Sequence, residues 1–209
     1  MGQRIGRRRT AAKGTASRRR LLAGLAVLVA ALAAAVVLAP GLFERLRPIP
    51  AIGGPFTLID QNGRTVTRND LLGHPAVMAF GYTYCPDVCP TTLTRMTRWI
   101  AALGPTADRM SFSFVTVDPA RDTPDALKDY LSSFDPHIRG LTGSENEIAG
   151  TLKAYRVFAR KVPSSDGSYT MDHTAGVYLI DAAGRFRNVI SFEEDDAHAL
   201  EKLRKLAGD

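Results

Sequence analysis

At 209 residues, with 45% apolar and 23% charged side chains, the chain has the composition of an ordinary globular protein with one well-filled core and an appendage. Two cysteines are too few for a disulfide scaffold, so the core must hold the fold and the pair is free for chemistry. The net charge of +6 belongs to the N-terminus: residues 1–20 carry eight Arg and Lys and no acid, so residues 21–209 sum to −2 and imply no nucleic-acid partner.

Residues 1–20 read as a basic cytoplasmic tail, with an RNA-binding arm as the competing reading. Residues 21–39, "LLAGLAVLVAALAAAVVLA", contain no charge. As a helix they would reach about 28 Å, close to the roughly 30 Å of a hydrocarbon core. Arginines flank only the N-terminal side, which predicts a single-pass anchor with the remainder exported. The stretch exceeds the roughly 7–15 apolar residues of a cleaved signal core, although "SRRRLLA" also resembles a twin-arginine signal. Residues 40–54 are rich in Pro and Gly and read as a linker, leaving 55–209 as one domain.

That domain alternates strands and helices. "FTLID" (56–60) and "TVTR" (65–68) flank an Asn-Gly turn, as in a hairpin. "AVMAFGY" (76–82) is a continuous apolar run, as expected of a strand buried on both faces. Leu93, Met96, Ile100 and Leu103 then recur at helical spacing up to Gly104-Pro105. A strand follows at 111–118, and Thr123-Pro124 opens a helix. Ser144 and Glu147 form a capping box for a helix through Tyr155. Strands at 175–181 and 185–191 form a second hairpin, and a last helix carries Leu200, Leu203 and Leu206. The pattern predicts an α/β domain with a mixed central sheet flanked by helices, and its order of elements resembles the thioredoxin fold.

Both cysteines lie in "GYTYCPDVCP" (81–90), between the buried strand and the first helix. Two prolines four residues apart cannot both open that helix, which predicts a start at Pro90 with Cys89 at its cap. The positive end of the helix favours thiolate, the form that attacks disulfides and binds soft metals. Three readings stay open on these residues alone: a structural disulfide, a redox dithiol, or a site for copper or zinc that needs a further ligand. Of the four histidines, His74, His137 and His198 read as surface or loop residues. His173 stands beside Asp172 on a predicted loop entering the strand at 175, but spacing does not bring it to the cysteines. Asp118, Asp122 and Asp125 suggest a hard-metal site, yet a turn followed by a capped helix accounts for them.

Taken together, "FGYTYCPDVCPTTL", "VTVDPARDTPDALKDYL", "GLTGS" and "DHTAGVYLID" resemble the Sco/SenC family of membrane-anchored copper-binding proteins of cytochrome c oxidase assembly, over about residues 55–191. The resemblance implies a thioredoxin-like fold holding one copper ion, Cu(I) or Cu(II), through Cys85, Cys89 and His173. Asp87 and Asp172 match acids flanking those ligands and would be accessory contacts. It further implies a metallochaperone rather than a turnover enzyme, which delivers copper to subunit II of the oxidase. The alternative is a thiol–disulfide oxidoreductase acting on the oxidase cysteines. Either role calls for an upstream thioredoxin-like reductant, because an oxidising compartment would close the pair, and the first also calls for a copper donor. The expected home is a bacterial inner membrane with the domain in the periplasm; a mitochondrial inner membrane is the alternative.

Overall fold

The apolar run after His74 forms a strand buried along its whole length, and the rest of the domain is arranged around it. The computed structural model describes residues 22–35, 51–165 and 167–208, and divides the chain into two compact units, Met1–Pro50 and Ala51–Asp209. In the first unit residues 22–35 are helical and exposed. Among the described residues no helix is long and apolar enough to cross a membrane. The predicted tail, both ends of the predicted 21–39 anchor and most of the linker lie outside the described residues.

Among the described residues of the second unit, nine strands and four α-helices follow one another in this order: β1 (Thr57–Asp60), β2 (Thr65–Thr67), β3 (Ala76–Gly81), α1 (Val88–Leu103), β4 (Ser111–Thr116), α2 (Pro124–Leu131), β5 (Ile138–Thr142), α3 (Glu145–Tyr155), β6 (Ala159–Pro163), β7 (Tyr169–His173), β8 (Gly176–Ile180), β9 (Phe186–Ser191) and α4 (Asp196–Ala207). Seven strands form one sheet in the order β2-β1-β5-β4-β3-β8-β9. The central pairs β3–β4 and β4–β5 are parallel; β1 and β8 run antiparallel to their inner neighbours. Helix α2 packs against β5, α3 against β1, and α4 against β8, β9 and α1. This is the predicted mixed sheet flanked by helices, in a thioredoxin-like arrangement. Trp99, Phe112, Phe114, Leu93 and Met96 are fully buried between the layers. Each such side chain contributes about 1.5–3 kcal/mol of burial.

Three features depart from the sequence reading. Helix α1 begins at Val88 with Asp87 as its cap, so Pro90 is its third residue and not its first. The position is tolerated because the first four N–H groups of a helix have no intrahelical partner to lose. Strand β5 was absent from the sequence pattern: its five residues include Arg139 and Gly140, which break the apolar run. Finally, β6 and β7 form a separate two-stranded ribbon, so His173 closes a strand instead of lying in a loop.

Candidate metal centre

Strand order brings the cysteine loop and His173 together. Strand β8 is the antiparallel neighbour of β3, with Val177 opposite Ala79. Residues that follow β3 and residues that precede β8 therefore emerge at the same edge of the sheet. Cys85 and Cys89 follow β3; His173 stands three positions before β8. The two sulfurs and a ring nitrogen of His173 lie within 4.8 Å of one another, and among the described residues no other group of three His, Cys, Asp or Glu could hold a metal ion.

Cys89, at the second position of α1, is buried; Cys85, in the loop before it, is half-buried. The Cys89 N–H donates to Cys85 Sγ at 3.4 Å, and Cys89 Sγ lies 3.5 Å from His173 Nε2. His173 Nδ1 is 3.1 Å from the Thr174 carbonyl, which can only accept. That contact assigns the proton to Nδ1 and leaves the Nε2 lone pair facing the sulfurs. The Tyr82 ring meets the imidazole edge-on, 5.8 Å between centroids.

Electrostatics make the two thiols unequal. A hydrogen bond from the Cys89 thiol, with further help from the Cys89 and Asp87 backbone, outweighs burial and lowers the Cys85 thiol to about 3. Sharing that proton with Cys85, together with burial, pushes Cys89 up. Thiolate character is thus favoured on Cys85, whose sulfur also accepts the Cys89 N–H, and disfavoured on Cys89.

Space around Cys89 is closed by a glycine that the sequence pattern did not mark. A Cβ on Gly81 would lie 2.7 Å from Cys89 Sγ and 2.6 Å from the Phe114 ring, closer than real contacts allow. The close approach of the buried sulfur to β3 therefore requires glycine.

The remaining candidates fall elsewhere. Asp87 is exposed and caps α1 without a side-chain bond to its backbone; its carboxylate takes a 3.4 Å hydrogen bond from Thr91. Asp172 is exposed and pairs with Arg160 at 2.6 Å, while the second nitrogen of His173 is held by the Thr174 carbonyl. Ring nitrogens of His137 face Asp135 and Asp108, and His198 faces Asp195, away from the sulfurs.

Two thiolates and an imidazole are soft and borderline donors of the kind that suit copper or zinc. No two of the three donor atoms are more than 4.8 Å apart, close to the reach of two metal–ligand bonds of about 2.0–2.3 Å each. The donor set fits a copper ion.

A family model for SCO1/SenC matches residues 45–208. The chain belongs to the SCO1/SenC family. Among relatives of this SCO1/SenC protein, the mitochondrial protein SCO2 of Saccharomyces cerevisiae is 42% identical over 161 residues, covering 74% of this chain and 52% of that protein. The chain thus spans about half the length of that relative. The structure is similar to that of Bradyrhizobium japonicum ScoI with copper bound: 51% identity, TM-score 0.71, covering 75% of this chain and 99% of that one. It is also similar to yeast Sco1 with copper bound, at 36% identity and TM-score 0.71, covering 77% and 90% of the two chains.

Proposed function

We propose that this SCO1/SenC protein binds one copper ion through Cys85, Cys89 and His173 and delivers it to the binuclear copper site of cytochrome c oxidase subunit II. The observation that carries this reading is the meeting, within 4.8 Å, of two sulfurs and an imidazole nitrogen from segments 84 residues apart. Copper is cargo here. A site at the sheet edge with one half-buried sulfur suits exchange with an incoming ligand, whereas a fully enclosed site would retain its ion. The copper held by the similar ScoI and Sco1 structures supports the choice of metal. In this reading residues 1–20 stay in the cytoplasm and residues 21–39 anchor the chain. Residues 40–54 then tether the 55–209 domain on the far side of a bacterial inner membrane. A thioredoxin-like reductant keeps the dithiol open, and a separate donor supplies the ion.

Titrating the reduced full chain with copper tests this directly. We expect one ion per chain and a sulfur-to-copper(II) charge-transfer band that His173→Ala removes. The loss of affinity for Cu(II) should exceed the roughly 10–100-fold typical of deleting an outer partner. Equal binding by wild type and His173→Ala would contradict the ligand set.

A second reading, reduction of the oxidase cysteines, is favoured by one specific observation: a half-buried Cys85, its sulfur accepting the Cys89 N–H and backed by the buried Cys89 thiol, is the arrangement of an attacking and a resolving thiol. In that case Cys85→Ser and Cys89→Ser abolish oxidase assembly and His173→Ala leaves it intact; copper delivery requires all three.

A further inference from the structure

Three segments leave the sheet at the edge that carries the sulfurs: the loop after β3, the turn after β4, and the β6–β7 hairpin before β8. The middle one, residues 118–123, supplies none of the three donors, and in sequence it is accounted for as a turn and a helix cap. Its side chains nonetheless bond to both neighbouring segments.

On one side stands Asp122, fully buried. It accepts the Thr83 N–H at 3.1 Å, the Thr83 hydroxyl at 2.6 Å and the Thr116 hydroxyl at 2.6 Å. Thr83 is two residues before Cys85, so the carboxylate fixes the root of the cysteine loop. On the other side, Asp118 accepts from Arg121 Nε at 2.5 Å and from the Tyr169 hydroxyl at 3.0 Å. Arg121 Nη1 donates to the Tyr169 carbonyl at 3.0 Å, and its guanidinium lies 3.7 Å from the Tyr169 ring centroid and 4.6 Å from that of Tyr84. Tyr169 opens β7, the strand that His173 closes.

A lone two-stranded ribbon is marginal in water, so side-chain contacts must fix where β6–β7 sits. The alternation of β7 puts Tyr169, Met171 and His173 on its inward, half-buried face. Each of the three is held: Tyr169 by Arg121 and Asp118, Met171 through its N–H to the Tyr82 hydroxyl at 3.2 Å, and His173 against the Tyr82 ring.

We propose that Arg121 is a positioning residue that latches the β6–β7 hairpin to the turn after β4 and thereby sets His173 over the two sulfurs. The metal consequence rests on the copper reading above; the latch itself does not. Arginine is needed because one planar group must bond a carboxylate and a carbonyl while stacking on an aromatic face, which a lysine ammonium cannot do.

The test uses Arg121→Lys, which keeps the charge, and Tyr169→Phe, which keeps the stack and loses only the hydroxyl bond. In the reduced, metal-free full chain, amides of 159–162 and 169–173 should exchange about tenfold faster in Arg121→Lys, with those of β3 and β4 unchanged. Tyr169→Phe should give the same pattern at smaller amplitude. With Cu(II) bound, the nitrogen hyperfine coupling from the imidazole should weaken in Arg121→Lys while the sulfur-to-copper band persists. Wild-type hairpin protection in both variants overturns the latch, and so does a uniform rise across the whole sheet, which marks a merely structural role. If wild type itself shows no imidazole coupling, the copper reading fails; the metal-free exchange pattern then upholds or overturns the latch alone.

Discussion

At the scale of single residues, the reactive asymmetry of the dithiol is the sharpest consequence of the geometry. With Cys85 lowered to about 3 and Cys89 pushed up, alkylation of the reduced, metal-free chain should modify Cys85 rapidly even at about pH 5, where a free thiol is almost wholly protonated. Peptide mapping after brief iodoacetamide treatment checks this, and Cys89 should stay unmodified. Gly81 offers a second test. Gly81→Ala forces a methyl group against Cys89 Sγ and the Phe114 ring, and should cost about 1–3 kcal/mol by denaturant unfolding while also lowering copper stoichiometry. The cysteines were legible as a pair from their spacing and their place after a buried strand. Gly81 was not, because a glycine in an apolar strand carries no mark of what lies across from it. Arg121 was hidden by a correct local reading: Thr123 does cap α2, accepting the Ala126 N–H at 3.2 Å, yet the neighbouring side chains turn toward the site.

Elements were legible where the burial pattern was strong. Strand β3, the capping box of α3 and the β8–β9 hairpin all stand where periodicity and turn residues put them. The β6–β7 ribbon escaped because it is half-exposed and rich in charge, so its alternation is weak. The docking of α4 on α1 is likewise a matter of side chains that no pattern shows. Asp196, in the first turn of α4, accepts Arg95 Nε at 2.8 Å, Arg98 Nη2 at 2.8 Å and Trp99 Nε1 at 2.9 Å, all three donors being on α1. Partial burial opposes ionisation of this carboxyl, but those hydrogen bonds outweigh it and hold it at about 2 against an ordinary 3.8. A depressed acid stabilises the fold above its unfolded value and loses that contribution as pH falls through the folded one. Thermal stability should therefore drop between about pH 4 and pH 2, and Asp196→Asn should be less stable at neutral pH and flatter across that acid range.

For the whole molecule, the site follows from strand order more than from any motif. Parallel β3 and β4 and antiparallel β8 deliver three separate segments to one edge, so donors 84 residues apart in sequence meet. No count of residues between Cys89 and His173 contains that information; only the resemblance to a known family supplied it before the fold did. The most direct measurement is copper K-edge X-ray absorption on the full chain loaded with one equivalent of copper, beside His173→Ala. The account predicts two sulfur scatterers and one imidazole nitrogen in the wild type, with the imidazole contribution gone from the variant. A wild-type spectrum with sulfur alone, or an imidazole signal that survives in His173→Ala, would contradict it.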